Sequence, residues 1–265
     1  MRVATWNVWH RFGDDYEVRS EAIATALAPV DADVLCLQEV WTEPEGERSQ
    51  AAELAAHLGL EAHADAHRVV SEGFTFGNAI VSRWPITRQE TRPLPPHPDY
   101  EEFRTVLAVE IAHPDGPVQV FTTHLNFLGH QSGVRQAQVR AVARMMHEWR
   151  RDDLVRPQVL TGDLNAEPIS DEVRMLTGHA DLGVPLALLD AWRVRGRGDG
   201  ATWSSRNPLT HASFEPDRRI DYVLVGFPIS YGGRGQVESV EIFGDDPVDG
   251  TWPSDHFGVV ADLSD

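Results

Sequence analysis

Eight short runs rich in apolar and β-branched residues are spread over the whole chain, and they limit the possible folds to those with extensive sheet. The runs read RVATWNV, DVLCLQEV, GNAIVSRW, RTVLAVEI, VQVFTTHL, QVLTGDL, RIDYVLV and HFGVVADL. Such nearly continuous apolar runs are typical of strands that are covered on one or both faces. Helical periodicity appears over Tyr16–Ala28, with Asp14 or Asp15 as N-cap, and over Ser132–Arg150. This pattern predicts an α+β or mixed α/β layered sandwich.

The organisation of the chain points to one domain covering residues 1–265, because there is no repeat, no low-complexity tract and no long linker. Cys36 is the single cysteine and lies in the apolar stretch VLCLQE, so we expect a core residue rather than a nucleophile. A strand-like run follows Met1 directly and no apolar run approaches the length of a membrane span. We therefore expect a cytoplasmic protein without integral membrane association.

The net charge is −18, from 23 basic and 41 acidic residues. This balance disfavours a protein that binds nucleic acid through a broad basic face. A bound divalent cation would reverse the field locally, so the acidic balance bears on affinity more than on chemistry. Nucleic acid therefore stays a possible but disfavoured partner.

Polar residues gather at the ends of the strand-like runs. Some follow the apolar part of a run, namely Asn7, Glu39, His124, Asp163 and Asn165. Others precede it, namely Asp221, Asp255 and His256. In a mixed sheet, strands of opposite direction bring these two kinds of end to the same rim. We therefore expect these residues to form a single cluster.

The chemistry of the cluster favours a hard divalent cation. Its ligands are mainly oxygens and include no cysteine, which suits Mg²⁺ or Mn²⁺ rather than structural zinc. Magnesium commonly binds one or two protein carboxylates and a substrate phosphate. Phosphoester hydrolysis fits these residues, since it needs a base for the attacking water and groups that stabilise charge on the phosphate oxygens.

The ordered motifs TWN, LQE, GDLN and SDH, with GNAIVSRWPI, TTHL and RRIDYVLV between them, resemble those of the endonuclease/exonuclease/phosphatase superfamily, the DNase I-like fold. The resemblance covers essentially the whole chain. It implies a four-layered αββα sandwich, in which two mixed β-sheets pack face to face with helices outside. It also implies that the active site lies between the tops of the two sheets.

The resemblance assigns roles to the cluster residue by residue. Glu39 is the principal metal ligand, with Asn7 beside it and Asp255 near or within the coordination shell. Asp163 orients and deprotonates the attacking water, and Asn165 donates to a phosphate oxygen or to that water. His256, oriented by Asp221, stabilises the transition state. His124 matches the histidine of the family that contacts phosphate or assists the leaving group.

Several residues also have a purely structural interpretation. Asp221 by itself fits an ion pair with Arg218 or Arg219, and Asn78 fits a structural hydrogen bond as well as a substrate contact. We expect Arg104 to be a structural ion-pair residue, and packing and capping account for Arg135 and Gln138. Aromatic residues in the rim loops fit closure of the core better than walls of a substrate site; these are Trp9, Phe12, Phe127, Trp203 and Phe214.

Three functions are consistent with the sequence. The first is a divalent-metal-dependent phosphodiesterase or phosphatase, acting as a monomer on a small or lipid-derived phosphoester. The second is a DNase or repair-type endonuclease or exonuclease. The third is a non-catalytic scaffold, which the clustered carboxylates disfavour because a scaffold has no physical need for them. The acidic charge favours the first function over the second.

Overall fold

The structure is a computed structural model, and it describes residues 1–13, 15–43, 48–69, 75–99 and 103–265. Asp14, one of the two candidate N-caps, lies outside the described residues. Asp15 occupies the N-cap position of the first helix but makes no side-chain capping hydrogen bond.

Two mixed sheets of six strands each are formed by the described residues. The first sheet has the order β11-β12-β1-β2-β4-β3, with β1 Arg2–Asn7, β2 Val34–Val40, β3 Ala62–Val69, β4 Thr75–Ser82, β11 Val237–Phe243 and β12 Gly258–Leu263. The second has the order β5-β6-β7-β8-β10-β9, with β5 Ile86–Pro93, β6 Thr105–Ile111, β7 Val118–His124, β8 Val159–Asp163, β9 Leu188–Asp190 and β10 Asp221–Gly226.

The helices in the described ranges are α1 Tyr16–Leu27, α2 Gln50–Leu58, α3 Ser132–Trp149, α4 Asp171–Leu176 and α5 Ala191–Arg195. The two helices that the sequence predicted, α1 and α3, are present within one residue of their expected ends. Ser49 caps α2 by accepting a hydrogen bond from the Ala52 amide at 3.4 Å, which is a local signal for a helix start.

Three apolar layers separate the four structural layers. One lies between α1, α2 and the first sheet, one lies between the two sheets, and one lies between the second sheet and α3 and α4. Strand β6 shows how the layers arise, because Val106 and Ala108 face α3 while Leu107 and Val109 face the other sheet. Side chains of a strand alternate between its two faces, so both faces of β6 are apolar. The predicted αββα sandwich is confirmed.

All eight strand-like runs contain strands of the fold. The sequence missed β3, β5, β9 and β11, and these are the four edge strands of the two sheets. An edge strand is only partly covered and tolerates charge, so its apolar signal is weak. Strand β5 illustrates this, since ITRQETRP has no fully buried residue.

Cys36 is completely buried and unpaired, as expected for a core residue. Burial raises the pKa of its thiol to about 12. Of the helices in the described ranges, none is long and apolar enough to cross a membrane.

Candidate active site

Three neighbouring strands of the second sheet place His124, Asp163 and Asp221 side by side. Strand β7 runs parallel to β8 with His124 opposite Asp163, and β10 runs antiparallel to β8 with Asp221 opposite Asp163. The end of β7, the end of β8 and the start of β10 therefore meet at one rim. This is the geometry that the mixed-sheet argument requires.

Gly162 allows the close approach of β7 to β8 at this rim. Its φ is 136°, and a Cβ atom at this position would lie 1.9 Å from the carbonyl oxygen of Thr123. Any other side chain would push apart the two strands that carry His124 and Asp163. The glycine of the GDLN motif is thus required by backbone contact.

The first sheet contributes Asn7 and Glu39 from parallel neighbours, β1 and β2. Glu39 lies at a register shift between Gln38 and Val40 and has a φ of 57°. Such a bulge turns a side chain away from the regular alternation of the strand. The Asn7 amide then joins the two sheets, because its Nδ2 donates to Glu39 Oε1 at 3.1 Å and to Asp163 Oδ2 at 3.2 Å.

Asp255 and His256 stand immediately before β12 and reach the same cluster. His256 Nδ1 lies 2.9 Å from Asp221 Oδ2, which links the first sheet to the second. The indole N–H of Trp6 donates to the His256 carbonyl at 2.9 Å, and the Ser254 hydroxyl donates to the Asn7 carbonyl at 2.6 Å. The segment that carries both residues is therefore tied to β1.

Asp163 is the centre of the cluster. Its Oδ1 accepts the Asn165 amide at 2.9 Å. Its Oδ2 lies 3.4 Å from His124 Nε2 and 3.7 Å from His256 Nε2, besides accepting from Asn7. Asp163 is buried, so these contacts replace the water that an exposed carboxylate would have.

The crowded carboxylates are less acidic than usual. Burial, reinforced by the charge of Asp221, raises the pKa of Asp163 to about 6. Burial also raises the pKa of Asp255 to about 7, against the opposing effect of His256. Burial raises the pKa of Glu39 as well, although the hydrogen bond from Asn7 acts against it. Closely spaced carboxyl groups with raised pKa values are typical of catalytic and metal sites.

The donor set of the rim fits a hard divalent cation. Glu39 Oε2 is buried and has no hydrogen-bond partner among the described residues, which leaves a carboxylate oxygen available as a ligand. The ligand atoms of Asp163, Asp221 and His256 also lie within 4.8 Å of one another. The surrounding carboxylates raise the pKa of His256 well above its usual range, although burial opposes them. Glu39 is the better candidate ligand because its Oε2 oxygen has no partner among the described residues, whereas His256 Nδ1 is already hydrogen-bonded to Asp221.

An open cleft of about 490 Å³ has Glu39, His124, Asp163, Asp255 and His256 on its wall. Its other walls are largely aromatic and include Trp9, Phe12, Phe76, Phe127 and Trp203. The expectation that most of the rim-loop aromatics close the core is wrong, because Phe12 and Phe127 are about half exposed and Phe214 is 95% exposed. Arg104 lines the same cleft, where its charge acts on Glu39 and His124.

Other residues have structural partners. Arg219 pairs with Asp190 at 2.7 Å and Arg218 pairs with Glu215, so neither arginine is the ion-pair partner of Asp221. Asn78 Nδ2 donates to the Thr105 carbonyl at 3.1 Å, which joins β4 to the second sheet. This contact agrees with the structural interpretation of Asn78.

Arg135 and Gln138 do more than cap α3. Arg135 forms a buried ion pair with Glu172 at 2.8 Å and donates to the carbonyls of Asn126 and Leu128. Gln138 accepts the Asn126 amide at 3.1 Å. Together they hold the loop that follows His124.

Sequence reasoning missed two polar residues near the rim. Gln38, next to Glu39, donates to Thr5 Oγ1 at 3.1 Å and to Thr122 Oγ1 at 2.9 Å, and so links the sheets beneath the cluster. Its position in LQE was an available signal. Arg19 lies in α1 and contacts the loop after Asn7. Nothing in its sequence context distinguishes it from a surface arginine.

A two-sheet sandwich with a buried carboxylate and histidine cluster on the wall of a cleft defines a phosphoester hydrolase. The chain belongs to the endonuclease/exonuclease/phosphatase family, whose family model matches residues 4–256. The family consists of hydrolases that act on phosphoester bonds, and dependence on a divalent metal is typical of it.

Individual relatives are distant. The chain is 24% identical over 267 residues to tyrosyl-DNA phosphodiesterase 2 of Xenopus laevis, covering 98% of this chain and 65% of the relative, and 24% identical over 269 residues to that of Mus musculus, with the same coverage. The chain thus spans less than two thirds of the length of these relatives.

Solved structures share the fold. The D. rerio TDP2 complex with a single-strand DNA product has a TM-score of 0.80 at 19% identity, covering 100% of this chain and 99% of that one. A functionally unknown conserved protein from Enterococcus faecalis V583 has a TM-score of 0.74 at 22% identity, with the same coverage.

Proposed function

We propose that this chain hydrolyses phosphoester bonds with a divalent cation, Mg²⁺ or Mn²⁺, bound at the rim. The observation that carries the proposal is the contact set of Asp163, a buried carboxylate reached by Asn7, His124, Asn165 and His256 on the wall of the cleft. A buried carboxylate whose pKa is raised to about 6 is suited to accept a proton near neutral pH.

In the proposed mechanism, Glu39, Asn7 and Asp255 would hold the cation, which would supply positive charge to the phosphate oxygens and the leaving oxygen. Asp163 orients the attacking water and accepts its proton. The Asn7 amide fixes Asp163 relative to Glu39, because it donates to both carboxylates. The hydrogen bond from the Asn165 backbone amide fixes the other oxygen of Asp163.

His256 acts as the cationic group that stabilises charge on the phosphate in the transition state. Asp221 accepts from its Nδ1 and leaves Nε2 directed toward Asp163 and the cleft. Asn165 presents its amide to a phosphate oxygen, although that amide also donates to the Leu125 carbonyl at 3.1 Å. His124 contacts the phosphate or the leaving group from the opposite side of Asp163.

We further propose that residues 1–265 work as one domain and as a monomer. Each proposed site residue comes from this chain, and both sheets contribute to the rim. Size-exclusion chromatography with light scattering tests the monomer. Thermal or urea unfolding tests the single domain, and two independent unfolding transitions would contradict it.

A small or lipid-derived phosphoester is the first substrate candidate. The net charge of −18 disfavours long polyanions, and a cleft of about 490 Å³ has room for one small substrate group. Rim loops add Asp99, Glu215 and Asp217 to the negative field. Glu101 and Glu102, which belong to the same acidic set in the sequence, lie outside the described residues.

A phosphodiester at the end of a DNA strand is the second candidate, and the names of the relatives favour it. They are tyrosyl-DNA phosphodiesterases, and the D. rerio structure holds a single-strand DNA product. The aromatic walls of the cleft offer surfaces on which a base or a phenol ring can stack. An acidic protein that engages one strand end needs fewer basic contacts than one that grips a duplex.

Metal binding provides the first test. Glu39→Gln keeps the shape of the side chain and removes its charge, so we expect the Mn²⁺ dissociation constant measured by calorimetry to rise at least tenfold. The exposed Glu238→Gln variant is the matched control and should bind like the wild type. Wild-type affinity in Glu39→Gln would refute the metal assignment.

The substrate class needs a direct comparison. We would measure kcat/KM in Mg²⁺ at near-physiological salt on plasmid DNA, a single-stranded oligonucleotide, a tyrosyl oligonucleotide, a sphingomyelin-type lipid and small phosphodiesters and monoesters. Chelator should abolish the activity, and Asp163→Asn should lower it by about 10²–10⁴-fold. Preference for the tyrosyl or single-stranded substrate would favour the DNA strand end over the small or lipid-derived phosphoester. Preference for plasmid DNA would favour a DNase-type nuclease.

A further inference from the structure

The loop that follows Asn7 has an unusual backbone. Trp9 and His10 both have positive φ, 56° and 39°. This left-handed conformation is unfavourable for side chains with a Cβ and persists only where surrounding contacts hold it. The loop therefore needs an external support.

Arg19 of α1 supplies that support. Its side chain is buried, and its two terminal nitrogens donate to five backbone carbonyls. Nη1 contacts Val8 O at 2.8 Å and Pro253 O at 3.0 Å, and Nη2 contacts Trp9 O at 3.0 Å, His10 O at 2.5 Å and Phe12 O at 3.2 Å. Its guanidinium also lies 4.9 Å from the centre of the Trp9 ring.

These carbonyls belong to two segments at opposite ends of the sequence. One segment begins directly after Asn7, and the other ends two residues before Asp255. Arg19 Nη1 donates to both, so a single nitrogen fixes the distance between them. Asn7 and Asp255 are two of the three residues to which we assign the metal.

The burial of Arg19 is not explained by an ion pair. Among the described residues no carboxylate forms a salt bridge with its guanidinium; the two terminal nitrogens donate to carbonyl oxygens instead, and Nε has no hydrogen-bond partner there. Burying a charge without a close counterion is unfavourable, and a guanidinium with several donors in one plane is suited to joining fixed carbonyl groups. Burial lowers the pKa of Arg19, and the nearby Tyr16, Asp255 and Glu39 act against this effect.

We propose that Arg19 is a positioning residue of the active site, which sets the spacing between Asn7 and Asp255 and thereby the affinity for the divalent cation. The proposal rests on the proposed function, because it takes these two residues as metal ligands. A merely structural arginine would affect stability without affecting metal affinity.

Arg156 offers the matched control. It is equally buried and donates to the Ser264 carbonyl at 2.7 Å, but its partners Asp115 and Asp265 lie at the end of the sandwich opposite the rim. Arg156→Gln thus removes a buried guanidinium far from the cluster, one that is held by two carboxylates and one carbonyl.

The test measures Mn²⁺ affinity by calorimetry in wild type, Arg19→Gln, Arg19→Lys and Arg156→Gln, together with the thermal midpoint of each protein. We expect Arg19→Gln to raise the Mn²⁺ dissociation constant at least tenfold. Arg19→Lys retains the charge and reaches fewer carbonyls, so its Mn²⁺ affinity should lie between that of the wild type and that of Arg19→Gln. Arg156→Gln should lower the midpoint and leave affinity within twofold. Arg19→Lys also serves if Arg19→Gln does not fold.

Hydrogen exchange of the metal-free proteins gives a second readout. Amides of residues 8–12 and 252–255 should exchange faster in Arg19→Lys than in wild type. Their exchange rates in Arg156→Gln should equal those of the wild type. Wild-type Mn²⁺ affinity in Arg19→Lys, or a loss of Mn²⁺ affinity in Arg156→Gln equal to that in the Arg19 variants, would overturn the proposal about Arg19. The proposed function would stand in that case if Glu39→Gln still weakened Mn²⁺ binding. Wild-type binding in Glu39→Gln would instead remove the metal site and both proposals with it.

Discussion

His124 and His256 are two buried imidazoles of one cluster with opposite surroundings. Each places its Nε2 within 4 Å of the same oxygen of Asp163. His256 Nδ1 is hydrogen-bonded to Asp221 at 2.9 Å. In the part of the chain that the structure describes, His124 Nδ1 has no hydrogen-bond partner, and a carboxylate oxygen of Glu39 lies 3.9 Å away.

The two rings consequently differ in pKa. Burial lowers the pKa of His124 well below 6.5, and the positive charges of Arg104 and His256 act in the same direction. For His256 burial also acts to lower the pKa, but the carboxylates of Asp221, Asp163 and Asp255 together raise it well above 6.5. Both rings are buried and both face Asp163, so burial does not distinguish them. The carboxylate of Asp221, which only His256 contacts among the described residues, accounts for the higher pKa of His256.

Removal of the Asp163 carboxylate, which both histidines contact, should have the largest effect on activity. Asp163→Asn removes the base and the charge that both rings face, so we expect kcat to fall by about 10²–10⁴-fold with the fold retained. Steady-state kinetics in Mg²⁺ checks this, with exposed Asp152→Asn as control. Activity within threefold of wild type would exclude Asp163 as the base.

The pairing of Asp221 with His256 should appear as non-additivity. His256→Ala should lower kcat by about 10²–10³-fold by removing transition-state charge stabilisation. Asp221→Asn should act through the ring, so adding it to His256→Ala should cost little more. The double-mutant cycle measures this directly, and fully additive losses would show that the two residues act separately.

Replacement of the neutral ring should have a smaller effect. His124→Gln keeps a hydrogen-bonding group and removes no charge, so we expect a loss in kcat/KM of about 10-fold to 100-fold, the effect of one hydrogen bond to a charged group. His147→Gln on the exposed face of α3 is the control. A loss as large as that of His256→Ala would mean that His124 also carries charge in the reaction.

Titration of the metal-free protein would measure the pKa difference between His124 and His256 directly, without a change in activity. NMR of the imidazole signals should show His256 protonated and His124 neutral at pH 6.5, the ordinary histidine pKa. Titration of both rings near 6.5 would contradict the comparison.

The same shifts affect stability in opposite directions. The raised pKa of His256 gives stability that is fully present below pH 6.5 and is lost as pH rises through its folded pKa. The lowered pKa of His124 gives a contribution that is present above 6.5 and is lost as pH falls toward its folded pKa. Urea unfolding of His256→Ala and His124→Gln against pH would separate the two.

Prediction from the sequence succeeded where physical signals are local. The eight interior strands carry nearly continuous apolar runs because both of their faces are covered, and helix α3 carries a clear apolar stripe. The ordered motifs predicted the family and the αββα sandwich, which are confirmed. Edge strands such as β5 escaped because exposure removes the apolar signal.

The sequence by itself predicted where the interior strands lie, and hence which polar groups near their ends are available at the rim. Only the tertiary structure decided that Arg19 reaches Pro253, that Arg219 pairs with Asp190 rather than with Asp221, and that four of the five rim-loop aromatics line a cleft. The physical reason is distance along the chain. Strand periodicity depends on neighbouring residues, whereas charge partners and cleft walls depend on segments that meet only when the two sheets pack.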